Sequence, residues 1–494
     1  MPAFRFTELE YATDSALRFQ ALLGRLGCVF LDSGGVGGQD GRYDILSAEP
    51  YASLTTRGAL TEIVSAGGVE LSERDPLELL RERLAPPPAG AAGRRPRLSR
   101  ANGDGTMPTR PSGAARGSIH SDRHPLVPFY GGALGYFGYD LGRRFERMPS
   151  IAAADVDMPD MAVGLYDWAV VTDHRARRCW LVGTGRDERT FDEWDALLER
   201  VQAPVRPPSE PFEVLSGVDS SFDRAGYAAA FRRIKTHIRR GDCYQVNLTQ
   251  RFEAAVRGHP WHAYRTLREL NPAPFSAYLG FPDGAVLSSS PERFLRVRDG
   301  QVETKPIKGT RPRSADPKRD GALAEALRSS AKDRAENVMI VDLLRNDLGK
   351  CCEPGSVRVS KLFEIESFAS VHHLVSTIEA KLRPDSHALD LLRAAFPGGS
   401  ITGAPKLRAM QIIEALEPQR RGVYCGCIGY VGFDGSMDLN IAIRTIVQRG
   451  GRIYAWAGGG IVADSEVEAE YQESFDKAAA LLEVLNERKR DVAS

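Results

Sequence analysis

Lys308 stands between small and rigid neighbours in the run Glu303-Thr-Lys-Pro-Ile-Lys-Gly-Thr-Arg-Pro-Arg313. Pro306 restricts the backbone just upstream, Gly309 leaves room for a ligand to approach the main chain, and Thr310 offers a hydroxyl beside the amine. That setting suits a lysine acting as a nucleophile, and a nucleophilic amine must be neutral. With an ordinary pKa near ~10.4, only about a thousandth of the amine is neutral near pH 7.5. The deficit is roughly 4 kcal/mol, which burial or nearby cations would have to remove. Lys305 and Arg311 could supply the cations; with Arg313 they could equally make the run a basic cradle for an anion.

Two stretches could bring carboxylates to such an amine. Glu336 to Asp347 reads as a helix apolar over most of its circumference, and therefore buried, with Glu336, Ile340, Leu343 and Asp347 on one face. A carboxylate there needs a partner, either an internal cation such as Arg334 or Arg345 or a bound one. The last helix is expected to open at Asp464-Ser465 with a capping box of Ser465 and Glu468, and to carry the apolar stripe Tyr471, Phe475, Ala478, Leu482 and Leu485. Glu470, Glu473 and Lys477 then share another face. That face is either solvated or turned to a cleft where Glu336 and Glu473 hold a hard cation and Lys477 lies near an anion. Carboxylate oxygens with positions left for water and substrate suit Mg²⁺.

Groups that could hold an anion are spread along the C-terminal half. Gly458-Gly-Gly460 is expected to interrupt a strand and expose backbone amides. Thr402 offers a hydroxyl within Pro397 to Lys406, but Ala404 stands where a phosphate loop would need lysine. Arg444, in the apolar strand Asn440 to Ile446, has no carboxylate near it in sequence, which makes a substrate carboxylate an attractive partner. His372-His373 precede a β-like run, Leu374 to Ile378, and fit a core or strand-edge histidine.

These residues belong to a chain of 494, of which 42% are hydrophobic and 26% charged, enough for one large interwoven domain or two to three ordinary ones. Lys plus Arg equal Asp plus Glu at 65 each, so net charge argues for neither nucleic acid nor a membrane surface. The seven cysteines lack zinc-site spacing and fit a reducing compartment. No apolar run approaches ~18 residues and the first residues lack a signal-peptide core, so a cytoplasmic location is expected.

Residues 86–124 are rich in Pro, Gly, Ala, Ser and Arg and poor in large apolar residues, and are expected to form a mobile insert. The proline-rich stretch Pro204 to Pro211 divides an N-terminal region, 1–205, from a C-terminal region, 222–488, with 206–221 as linker. Runs such as Cys28 to Leu31, Trp168 to Thr172, Cys179 to Val182 and Ala285 to Ser289 read as strands, and Tyr227 to Arg240 as a helix. The strands come in hairpin-like clusters rather than strict βαβ alternation. That favours an α+β sandwich over a doubly wound parallel sheet.

In chain order, Gly241 to Leu248, Asn271 to Ser276, Ser290 to Phe294, the Lys308 run, the Glu336 segment, His372 to Ser376, the Thr402 loop, Gly458 to Gly460 and Glu470 to Glu473 resemble the motifs of the chorismate-utilising enzymes. The resemblance is dense from about 226 to 485 and looser before, chiefly in Gly131 to Asp140. It implies a large interwoven sandwich of orthogonally packed, mostly antiparallel sheets covered by helices, with 222–488 as the chorismate-binding region. At Lys308 the motif is similar to the aminodeoxychorismate synthase branch, component I; anthranilate synthases carry alanine in that motif.

The resemblance implies that Lys308 attacks the ring at C2 while the C4 hydroxyl leaves, and that ammonia then adds at C4 and expels the lysine. The product would be 4-amino-4-deoxychorismate, a precursor of p-aminobenzoate and folate. Glu292 is implied as general acid and base and His373 as a further catalytic residue near the ring, with Mg²⁺ held by Glu336, Glu473 and Glu470. Gly309, Thr310, Thr402, Tyr424, Arg444, Gly458, Gly459, Gly460 and Lys477 are implied substrate contacts. A tryptophan pocket is implied at Ser33, Arg42, Tyr43, Pro274, Phe275 and Ser276. Cys425-Gly-Cys-Ile-Gly429 does not form a glutaminase elbow, so a separate glutaminase subunit is the implied partner. The competing readings are anthranilate synthesis, which Lys308 disfavours, and a catalytically silent ligand-binding subunit, which would need neither the nucleophile nor the metal carboxylates.

Overall fold

The computed structural model describes residues 4–35, 40–85, 126–368 and 371–486; the insert expected at 86–124 lies outside the described residues. Two large antiparallel sheets form the frame. The first runs from Arg5–Leu9 through Arg178–Gly183, Trp168–Asp173, Tyr43–Ser47 and Val29–Asp32 to Phe275–Phe281, Gly284–Ser290, Thr445–Arg449, Arg452–Ile461 and Gln245–Arg257. The second runs from Ile307–Pro312 through Val371–Lys381, Gln301–Thr304, Arg293–Arg298, Met437–Asn440 and Cys427–Gly432 to Gly132–Phe137, Met161–Tyr166, Ala52–Arg57, Leu60–Ser65 and Gly68–Ser72.

The two halves of the sequence meet inside each sheet. Asp32 lies opposite Ser276 in the first, and Phe137 opposite Cys427 in the second. Either half alone would leave long strand edges open, so each completes the other. The stretch read as a linker is itself partly ordered: Glu213–Val214 and Asp219–Ser220 both pair with Gln245–Arg257.

Burial explains the strand sequences. Trp168–Asp173 is buried along its whole length and is apolar from Trp168 to Val171, whereas Ala52–Arg57 alternates buried residues with more exposed ones. One core joins the facing sides of the sheets, with Ile45, Leu279 and Val286 against Leu134, Leu165 and Leu439. A second lies under the helices on the outer face of the first sheet, where Phe19, Trp194, Trp261 and Leu481 meet Phe30, Leu181 and Leu287. All seven cysteines are buried and free. No helix among the described residues is long and apolar enough to cross a membrane.

Two of the chain's crossings between the sheets lie at adjacent places. The chain leaves the first sheet after Ser290 and enters the second at Arg293; it leaves the second after Asn440 and re-enters the first at Thr445. The two crossings are stitched together. Ser290 Oγ donates to the Ile441 carbonyl at 2.5 Å. The Ile441 N–H donates to the Glu292 carbonyl, and the Ser289 N–H to the Arg444 carbonyl, both at 3.0 Å. Glu292 and Arg444 are thus both set in this seam.

Three local expectations change. The Glu336 helix spans Ala331–Gly349 and buries one side only, through Asn337, Ile340, Val341, Leu344, Asp347 and Leu348, leaving Val338 exposed. Its other apolar residues cover neighbouring strands only in part. The last helix is Val467–Asn486, starting after Ser465. The Ser465 hydroxyl donates to Glu470 rather than capping with Glu468, which pairs with Arg224. Finally, Gly458 to Gly460 do not interrupt a strand: they lie inside Arg452–Ile461, opposite Thr249, Leu248 and Asn247.

Candidate active site

Lys308 belongs to the strand Ile307–Pro312, whose register with Val371–Lys381 slips between Ile307 and Thr310. Its Nζ reaches away from the strand and donates to the Ser400 carbonyl at 3.0 Å. Withdrawal from water pushes the amine below its ordinary pKa; Lys477 adds to that, while Glu336, Glu292 and Glu473 oppose it. Glu292 is almost fully buried, and burial pushes its carboxyl up to about 7 against the stabilising effect of Ser400, Lys308, the Ile307 N–H and Lys477. A carboxyl near neutrality lies beside an amine pushed below its ordinary pKa, the pairing that acid–base and nucleophilic chemistry needs.

Gly309 has φ +78°, and a Cβ on it would come within 2.7 Å of Leu327 and 2.8 Å of Asp333. Its lack of a side chain therefore serves the close approach of helices Pro317–Ser329 and Ala331–Gly349, not only a ligand. Thr310 Oγ1 lies 2.9 Å from His373 Nδ1. His373 is buried inside Val371–Lys381, and burial, reinforced by Arg444, pushes it down to about 3. The ring is therefore neutral at physiological pH.

Arg444 is not in a strand. It sits in the crossover with φ +50°, and its Nη1 donates to Asn271 Oδ1 at 2.8 Å. Burial pushes its guanidinium down to about 10. Among the described residues no carboxylate forms an ion pair with it. A buried guanidinium without a carboxylate partner is one that an anion would satisfy.

The acidic side of the site comes from two helices. Glu470, on the buried face of Val467–Asn486 rather than on a solvated one, accepts from Ser465 Oγ at 2.6 Å and from Lys332 at 3.3 Å. Glu473 pairs with Lys477 at 2.6 Å, and Lys477 also donates to the Gly458 carbonyl at 3.2 Å. Although burial works against it, Lys477, Lys332 and Lys308 hold the Glu473 carboxyl below its usual range. Glu336 faces the same field; burial raises its carboxyl, Glu470 and Glu473 adding to the effect and Lys308 and Lys332 reducing it. Neither Arg334 nor Arg345 pairs with it: Arg345 bonds Asp342, and Arg334 lies over Phe363.

A Cβ on Gly459 would stand 3.1 Å from Glu470 Oε2 and 3.2 Å from Glu473 Oε1. The missing side chain leaves room that two carboxylates share, and hard oxygen donors there fit Mg²⁺. Among the described residues, no three Asp, Glu, His or Cys side chains are already gathered as a metal cluster. Lys332 and Lys477 neutralise the carboxylates in that arrangement.

Gly458 and Gly460 turn their amides away from the long strand. Asn247 and Thr249 use their N–H groups elsewhere, on the Thr402 carbonyl and on Glu417 Oε1. In an antiparallel ladder their opposite residues, Gly460 and Gly458, then face the other way. Tyr424 is buried and stacks on Trp456, rings 6.0 Å apart and nearly parallel. Thr402 is buried and spends its hydroxyl proton on the Gly398 carbonyl at 3.0 Å.

Residues 91–483 match the family model described as chorismate binding enzyme. The chain belongs to that family. Aminodeoxychorismate synthase component 1 of Klebsiella aerogenes is 48% identical over 467 residues, 94% of this chain and 95% of the relative. The Escherichia coli (strain K12) protein of the same name is 47% identical over 444 residues, 90% of each chain. Anthranilate synthase component I from Streptococcus pneumoniae TIGR4 superposes with a TM-score of 0.73 at 32% identity, over 88% of this chain and 91% of that one.

In this chorismate-binding enzyme the sequence reading missed Ser400, Asn271, Asn247 and Lys332. Each acts through a backbone carbonyl, an amide or a distant carboxylate, which leaves no pattern of spacing to find. Of the six positions for a tryptophan pocket, Tyr43, Pro274, Phe275 and Ser276 line a cavity of about 120 Å³ between the sheets. Ser33 and Arg42 do not line it: Ser33 bonds Asp44, and Arg42 pairs with Asp173 at 2.6 Å while lying over the Tyr43 ring.

Proposed function

We propose that the protein is the chorismate-aminating component of an aminodeoxychorismate synthase. The observation that carries this reading is Lys308, an amine held below its ordinary pKa beside a carboxyl raised to about 7. The names of its component 1 relatives support the same reading. Lys308 attacks C2 of the ring, and Glu292 gives its proton to the departing C4 hydroxyl. Ammonia then adds at C4, Glu292 takes up a proton from the nitrogen, and the lysine leaves. The enolpyruvyl group is retained in 4-amino-4-deoxychorismate.

Arg444, fixed by Asn271, and the outward amides of Gly458 and Gly460 take up negative charge of the substrate. Glu336, Glu470 and Glu473 would hold Mg²⁺, which when bound would draw electron density through the ring carboxylate. Neutral His373 keeps a hydrogen bond with Thr310 rather than competing for the anion. The ammonia comes from a separate glutaminase component, since the chain offers no glutaminase elbow.

Mass spectrometry of the product from chorismate, Mg²⁺ and ammonium tests the reading. The expected product carries nitrogen and keeps the enolpyruvyl group, and glutamine alone gives none until a glutaminase component is added. Release of pyruvate with fluorescent anthranilate would establish the other branch of the family instead.

A further inference from the structure

Residues from three distant parts of the sequence close a circuit of hydrogen bonds around Arg444. Asn271 caps the end of the helix Pro260–Leu270 and is 9% exposed; Ser289 is fully buried. Ser289 Oγ gives its proton to the Asn271 carbonyl. Toward the Asn271 side chain that hydroxyl can therefore only accept, as can the Ser289 carbonyl, and Asn271 Nδ2 donates to both, at 2.8 and 3.1 Å. The amide is thus locked with its oxygen turned to Arg444, whose Nη1 donates to it at 2.8 Å. The Ser289 N–H completes the circuit on the Arg444 carbonyl at 3.0 Å and helps to hold that residue at φ +50°.

A buried guanidinium is ordinarily met by a carboxylate. Arg293 follows that rule in this chain, with Asp40, Glu303 and Asp438 around it. At Arg444 an aspartate would be of the same size as Asn271, yet the acceptor is a neutral amide. Such an acceptor fixes the direction of the guanidinium without cancelling its charge. With an internal carboxylate in its place, each arriving anion would have to break an existing ion pair and would gain only the difference between the two.

We propose that Asn271 is a positioning residue that sets the affinity for the anionic substrate: its neutral amide aims Arg444 and reserves the guanidinium charge for a carboxylate of the substrate. This rests on the reading above of Arg444 as an anion contact of the substrate. Asn271 acts through Arg444 and Ser289 locks it in the one orientation that serves, since the reversed amide would set its oxygen against the Ser289 carbonyl and its nitrogen against the guanidinium.

The test is calorimetric binding of chorismate to the full chain in Mg²⁺ without ammonium, with thermal melts of the same proteins. Asn271→Asp pairs internally with Arg444 and should weaken chorismate binding about 30-fold or more. Asn271→Ser changes the shape more but leaves the charge free, and should weaken binding only about 3- to 10-fold, the worth of one hydrogen bond. A residue that merely packs would give the opposite order. Without ligand, Arg444→Met should lower the melting temperature more in the Asn271→Asp background than in wild type, because it strips the new carboxylate of its partner. Asn271→Asp binding as tightly as Asn271→Ser overturns the assignment, and so do equal melting losses in the two backgrounds, which would make Asn271 a direct contact of the substrate. Should Asn271→Asp not fold, Asn271→Ser decides alone, and wild-type affinity in that variant overturns the assignment. A wild-type chain that binds chorismate but forms an unaminated product would sink the amination reading and leave this order of affinities standing.

Discussion

Two groups of buried charge lie on either side of the seam between Ser290 and Arg293. On one side Arg293, 4% exposed, bonds Asp40 at 2.5 Å, Glu303 at 2.9 Å and Asp438 at 3.1 Å, while Lys305 pairs with Asp40 and Glu366. On the other side Glu292, also 4% exposed, has no cation in ion-pair range among the described residues, and neither has Glu336. Arg293 is consequently held above its ordinary pKa by its carboxylates, and Glu292 is raised by burial. The first cluster is locked in one charge state and ties strands together. The second keeps protonation changes within reach of neutral pH, which is what chemistry requires.

Breaking the cleft side at its centre should have the largest effect. Lys308→Ala removes the nucleophile and should lower turnover with ammonium by roughly 10⁴-fold or more; undiminished turnover would end the covalent route. Breaking the locked side should instead appear in stability. Arg293→Met leaves Asp438 without its cation and takes one of two cations from Asp40 and from Glu303, and should cost about 3–5 kcal/mol in chemical denaturation. If it lowers turnover without loss of stability, the contrast between the two sides fails.

Glu336→Gln and Glu473→Gln sharpen the comparison by removing one negative charge each from the open side. Each should raise the Mg²⁺ concentration needed for half-maximal turnover roughly 10- to 100-fold with little loss of stability. Wild-type Mg²⁺ dependence with a sharply lowered melting temperature would make these carboxylates structural.

The smallest effect concerns pH. Glu292 binds its proton more tightly in the folded protein than in the unfolded chain, so stability falls as pH rises from its ordinary 4.5 to about 7 and stays lower above. Glu292→Gln should abolish that fall and be of order 1–3 kcal/mol more stable than wild type near pH 8, relative to pH 4.5. Parallel denaturation curves at the two pH values would contradict it.

The sequence by itself determined a good deal. The β-branched and aromatic runs at Trp168 and Cys179 read as strands, and the setting of Lys308 between Pro306 and Gly309 singled it out as a candidate nucleophile beside the reading of the run as a basic anion cradle. That Glu470, Glu473 and Lys477 share one helix face followed from helical spacing, but the ion pair between Glu473 and Lys477 did not. What only the tertiary structure decided is set by long-range pairing. Glu470 is buried because strand Arg452–Ile461 covers it, and Gly458 to Gly460 remain in a strand because Gln245–Arg257 holds them in register. Arg444 lost its strand because the chain must cross between sheets there, and Arg293 meets Asp40 from 253 residues away. A local pattern records what a residue prefers, whereas the charge state of a buried group depends on partners that only the closed sheets bring to it.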